Sequence, residues 1–200
     1  MSRKKIALIS TYTHPSRDSV EHMLANAFPE YPIENFSIVD VVKHSKSWIP
    51  QNLWYVGKEF GYDILLRRST AVQSYYRTTY LFERIRQAMR RIIDPKRYVF
   101  SFQTQSMYDT FVPELPHFIY TDHTHLSNLH SSYFGKRRLR SSKWIALERT
   151  IYHHATRIFT RSSDISADLT RFYDVAPDKV VCVFAGSNVP VVDQLSSAGD

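Results

Sequence analysis

Apolar residues fall along this chain in two kinds of run, short unbroken blocks and stripes at helical spacing. Ile6-Ala7-Leu8-Ile9 is a block behind Lys4 and Lys5, and it predicts a strand buried on both faces. A polar loop, 11–17, follows it. Asp18 and Glu21 stand at capping-box spacing, and Val20, Met23, Leu24, Ala27 and Phe28 make one helical stripe that Pro29 and Pro32 end. Residues 35–42 predict a second strand. The opening is therefore strand, loop, helix, strand, the start of a doubly wound sheet.

The middle is less regular. Residues 48–61 hold Trp48, Trp54 and Phe60 among Pro50, Gly57 and Gly61, and 62–66 fit either a strand or a helical turn. A helix is predicted over 70–92, with Leu81, Ile85, Ala88, Met89 and Ile92 on one side and arginines flanking them, stopped by Asp94-Pro95. Blocks at 98–102, 117–121, 157–160 and 179–184 predict four more strands. Stripes at 144–155 and 163–172 predict the helices between them. The fold class that results is α/β: a Rossmann-like three-layer domain with a mostly parallel sheet flanked by helices. Residues 1–188 form the domain, and 189–200 are a linker or the start of a further, C-terminal domain.

Composition narrows this picture little. The chain has 200 residues, 43% of them apolar, which suits one well-cored domain. The single cysteine, Cys182, sits in a strand-like run and reads as a buried thiol in a reducing compartment. No run approaches the ~20 apolar residues of a spanning helix, so a soluble cytoplasmic protein is expected. Charge adds more. The net charge is +7, and it is concentrated. Arg84, Arg86, Arg90, Arg91, Lys96 and Arg97 crowd one stretch, and Lys136, Arg137, Arg138, Arg140 and Lys143 another. Such stretches are either solvated surface or a site for an anionic partner, such as a phospholipid surface at the inner face of a membrane. No nucleic-acid motif accompanies them, and nucleic acid is not expected as a partner.

In open α/β sheets ligands gather at the carboxyl ends of the strands. Loops 11–17, 103–106, 121–126 and 161–163 are polar and belong there. The first has no Gly-x-Gly and no Walker sequence, which excludes a simple dehydrogenase or P-loop nucleotidase. Asp122-His123-Thr124-His125 places a carboxylate beside imidazoles at a strand end. Catalysis or substrate positioning, structural hydrogen bonding, and the start of a metal site all remain open for it. Gln103, Thr104, Gln105 and Ser106 suit a polar ligand or simple loop solvation. His153-His154 at a helix C-terminus reads as capping.

The last third of the chain, from Glu148 through Ser162 and Tyr173-Asp174-Val175 to the run 180–188, resembles the end of the N-terminal domain of GT-B glycosyltransferases, in particular retaining family four. Residues 117–125 are similar to that family's strand ending in a His-bearing loop. The resemblance implies a domain that binds the acceptor, with a nucleotide-sugar donor held mostly by a C-terminal Rossmann-like partner. It implies His123 and Asp122 as catalytic residues, and Thr13, His14, Ser16, Arg17, Gln103, Gln105, Thr124 and His125 as acceptor-binding. It implies a metal-free reaction, with no cofactor in this chain. It also implies membrane contact through Arg84, Arg90, Arg91, Arg137, Arg138 and Arg140, beside Tyr133 and Phe134. The first loop lacks the glycines many members carry, and neither the family's Glu-x7-Glu segment nor its second domain occurs in these residues. The expectation is an acceptor-side half that transfers little sugar alone. The other reading is a stand-alone binding module for an anionic ligand or membrane surface.

Overall fold

The computed structural model describes residues 3–11, 15–127 and 142–184. They form a six-stranded sheet in the order β2-β1-β3-β4-β5-β6. The strands are β1 (Lys5–Ser10), β2 (Ile33–Ser37), β3 (Tyr98–Thr104), β4 (His117–Thr121), β5 (Arg157–Thr160) and β6 (Val180–Cys182). Every pairing is parallel, so the sheet expected to be mostly parallel is wholly so among the described residues. The helices are α1 (Pro15–Ala27), α2 (Ile38–His44), α3 (Ile49–Leu65), α4 (Ala71–Tyr75), α5 (Thr79–Ile92), α6 (Ser142–His154) and α7 (Ser163–Tyr173).

The two sheet faces differ in their cover. Ile6 and Leu8 point to one face, where Val20 and Leu24 of α1 pack with Phe100 and Phe102. Ala7 and Ile9 point to the other, where Ile38, Trp48, Leu81, Ile85, Ile151 and Leu169 bring α2, α5, α6 and α7 into one larger core. Alternate residues of β1 thus serve both layers, which is why its apolar block is unbroken.

Several boundaries differ from those expected. The second strand stops at Ser37, because the Ser37 hydroxyl accepts from the Asp40 N–H at 3.3 Å and starts α2 there. Residues 62–66 belong to the end of α3 and its cap. The long helix over 70–92 is two helices. Thr78 adopts an extended backbone and caps α5 by accepting from Leu81 N–H, while Thr70 caps α4 by accepting from Gln73 N–H. The break is fixed from α3: Asn52 donates to the Tyr75 carbonyl at 2.9 Å and accepts from the Thr78 hydroxyl, and Glu59 accepts from the Thr79 N–H and hydroxyl. Helix α1 begins at Pro15, upstream of the Asp18/Glu21 pair, with proline's fixed φ suiting a first helical turn. The last strand is shorter than 179–184, and Cys182 on it is half-buried because β6 edges the sheet.

Candidate functional site

In a parallel sheet every strand points the same way, so the ends of β1, β3, β4 and β5 share one edge. The register aligns Ser10 with Thr104, Thr104 with Tyr120, and Thr121 with Thr160. The four polar segments therefore meet along a single edge. The strand order reverses between β1 and β3, which is where such sheets open a crevice. Thr11 lies in that crevice. It is buried, its carbonyl accepts from Val39 N–H at 3.3 Å, and its hydroxyl has no partner among the described residues.

Across the crevice, β3 ends in a constrained turn. Gln103 is fully buried and donates its amide to the carbonyls of Gln105 at 2.6 Å and Tyr108 at 2.8 Å, while accepting from the Thr110 hydroxyl. Gln103 is thus a structural clamp rather than a displayed ligand group. Gln105, held by it, has φ 71°, a left-handed conformation costly for a residue with a Cβ, and its side chain is exposed at the edge.

The turn after β4 carries the histidines. Asp122 and His123 are exposed, and Thr124 and His125 are buried. Thr124 and Ser127 cap each other: Ser127 N–H donates to the Thr124 hydroxyl at 3.1 Å, and the Ser127 hydroxyl donates to the Thr124 carbonyl at 2.6 Å. With the Ser127 proton so used, its oxygen can accept from the Nδ1-protonated tautomer of His123, whose Nδ1 lies 3.1 Å away. Asp122 faces Arg161, from the end of β5, at 3.6 Å with both side chains about half exposed.

Below the turn lies a buried carboxylate. Glu148 of α6 accepts from His125 N–H at 2.9 Å, from the Tyr152 hydroxyl at 3.1 Å and from the Tyr173 hydroxyl at 2.6 Å. Tyr173 in turn accepts from Leu126 N–H at 3.0 Å. The Ser106 hydroxyl lies 2.9 Å from that of Tyr152 and 3.3 Å from the His123 carbonyl. Burial first, and then the Glu148 carboxylate, push both phenols well above their ordinary pKa, so they stay protonated donors. Three elements thus pin the backbone beneath His123 and leave its ring at the surface.

Of the other expected residues, Thr13 and His14 lie outside the described ones. Ser16 falls in the first turn of α1, and the Arg17 guanidinium pairs with Asp18 at 3.2 Å. Among the basic side chains of α5, Arg84 lies over the Trp48 ring at 5.1 Å, Arg90 donates to the Phe111 carbonyl at 3.2 Å, and Arg91 is exposed. Arg137, Arg138 and Arg140, with Tyr133 and Phe134, lie outside the described residues. His153 and His154, expected to cap their own helix, bond elsewhere: His153 meets the Tyr173 carbonyl at the end of α7, and His154 meets Asp109. Among the described residues no three His, Cys, Asp or Glu side chains gather where they could hold a metal ion.

The helices α5 and α6 run antiparallel to the strands they precede, so their first turns lie at this same edge. There, between α3, α5 and α6, an open groove of about 370 Å³ is lined by Tyr55, Thr79, Tyr80, Glu83, Lys143 and Leu147. Tyr55 and Tyr80 stack with ring centroids 5.2 Å apart.

Pattern reasoning identified the His123 turn and missed its foundation. Tyr152 reads as a member of an apolar stripe, and Tyr173 only as part of the Tyr173-Asp174-Val175 turn that carries the resemblance. The available signal was Glu148, a carboxylate on the buried side of α6 four residues from Tyr152, since a buried carboxylate needs donors. No protein-family model matches the chain, and no curated protein matches it either.

Proposed function

We propose that this domain is the acceptor-side half of a glycosyltransferase, working with a second Rossmann-like domain that holds a nucleotide-sugar donor. The observation that carries the reading is the His123 turn: an exposed imidazole on a backbone pinned from below by Glu148, Tyr152, Tyr173 and Ser106, at the sheet edge where such folds bind ligands. The reaction breaks the bond from the donor sugar's anomeric carbon to the nucleotide phosphate and forms one to an acceptor hydroxyl. In this reading His123 Nε2 accepts a hydrogen bond from a hydroxyl of the transferred sugar. Asp122 and Arg161 flank it, and exposed Gln105 offers an amide to the acceptor. The tyrosine-lined groove beside the edge suits a sugar or lipid-linked acceptor, because aromatic faces cover the apolar faces of sugar rings.

The test is turnover of a panel of nucleotide sugars by the full-length protein. His123→Ala is expected to lower kcat by roughly 100-fold. Glu148→Gln, which acts only by positioning the turn, is expected to lower kcat with KM little changed. Full turnover in the His123→Ala protein removes that residue from the chemistry, and failure with every nucleotide sugar removes the transferase reading.

A further inference from the structure

Helix α3 has an inward face that ties it to the fold and an outward face that none of the described residues covers. Asn52, Val56 and Glu59 point inward, toward the α4–α5 junction. Outward lie Leu53, Trp54, Tyr62 and Leu65, which are 54%, 59%, 70% and 79% exposed. Gly57 and Gly61 sit among them, and a Cβ on either would meet nothing within 4 Å. Leu66 and Val72 extend the exposed apolar surface past the helix end. A contiguous patch of this kind is unusual on a lone soluble domain.

The charges around it say what covers it. On α3 and the connection to α4 the exposed charged side chains are Lys58, Arg67 and Arg68, all cationic. The two acids of the stretch, Glu59 and Asp63, are not exposed, and Glu59 is engaged with Thr79. The cations also stand against the rings: Lys58 Nζ is 4.9 Å from the Trp54 ring centroid, and the Arg68 guanidinium is 5.9 Å from that of Tyr62. Exposed Trp and Tyr paired with cations, on a helix laid flat against its own domain, match the chemistry of a bilayer interface, where rings enter the headgroup region and cations meet lipid phosphates. A second copy of the chain fits poorly, since it would bring six like charges together across the contact. No described helix is long and apolar enough to cross a membrane, so contact would be along the surface.

We infer that the outward face of α3, with the connection to α4, docks this protein on an anionic lipid bilayer. This does not rest on the transferase reading, and it places the membrane contact on a different surface from the arginines of α5.

Vesicle co-sedimentation tests it, with phosphatidylcholine vesicles containing roughly a third phosphatidylglycerol against pure phosphatidylcholine. The protein is expected on the anionic vesicles and to leave them as salt rises from about 0.1 M to about 0.5 M. Lys58→Glu with Arg68→Glu is expected to weaken binding by at least roughly fivefold per charge removed. Trp54→Ser with Leu65→Ser is expected to abolish it, and Arg90→Gln with Arg91→Gln to leave it in place. Trp48 and Trp144 are buried, so a blue shift of tryptophan emission on binding reports Trp54, and Trp54→Phe should lose the shift while still binding. All substituted side chains face solvent, and circular dichroism checks that each variant is folded. Equal binding to neutral vesicles, retained binding by the serine pair, or an unshifted Trp54 overturns the inference. So does a lipid-free dimer that the serine pair dissolves.

Discussion

His117 shows how one residue's surroundings become a property of the whole fold. Its ring is fully buried, with Nδ1 2.8 Å from the Ser101 hydroxyl and Nε2 without a partner among the described residues. Burial lowers its pKa to about 4 from an ordinary value near 6.5; Asp109 opposes this by less, and the charge of His154 adds to it slightly. The folded state therefore holds it neutral, and the unfolded chain takes up the proton first. Its contribution is complete above pH 6.5 and is lost as pH falls toward 4, by on the order of 3 kcal/mol. Asp109 extends the decline. Burial alone would raise its carboxyl, but the hydrogen bond and charge of His154, the charge of Arg86 and the Phe111 N–H lower it overall. Urea midpoints measured from pH 7 to pH 4.5 are expected to fall, and in His117→Gln most of the drop between 6.5 and 4.5 should vanish. An unchanged slope would mean that the ring is not held neutral.

At the scale of elements, α3 contains an internal contradiction that can be measured. Gly57 and Gly61 stand in the interior of a 17-residue helix, where glycine is the weakest ordinary helix former. Neither has a positive φ, and neither makes room for any other described part of the chain. Gly57→Ala and Gly61→Ala are each expected to stabilise the domain by about 0.5–1 kcal/mol in urea denaturation; a loss would show that something packs closely there. Elements with one dominant pattern were legible from sequence. The block at Ile6–Ile9 and the stripe at Leu81–Met89 each matched one period, and the structure has the strand and the helix. Boundaries set by side-chain caps were less so. Ser37 interrupts nothing in the apolar pattern, yet its hydroxyl turns strand into helix. Thr78 splits the helix expected over 70–92 because Asn52, 26 positions upstream, holds it. The candidate site divides the same way. His123 stands in a local polar run, whereas the Glu148 network joins residues separated by 23 and 25 positions and has no local period.

For the molecule as a whole, sheet order decides how its parts depend on one another. Strand β1 sits inside the sheet, with β2 on one side and β3 on the other. The first partner arrives after a single helix. The second arrives only after α2, α3, α4 and α5. A chain ending at Arg97 would keep Ile6 and Leu8 without Phe100 and Phe102, their partners in the smaller core, and β1 with one bare edge. Such a truncation is expected to show no cooperative urea transition, whereas the chain through Phe184 should show one. A cooperative transition in the shorter chain would make the first 97 residues a folding unit in themselves.

The same arrangement sets a clock for biosynthesis. The Thr104 hydroxyl donates to the Ile9 carbonyl across 95 positions, so the inner edge of β1 stays unpaired until that much more chain has been made. At about 5–20 residues per second, the apolar segment of β1 is exposed for roughly 5–20 s before its second neighbour arrives. During that interval it is the natural client of a ribosome-associated chaperone.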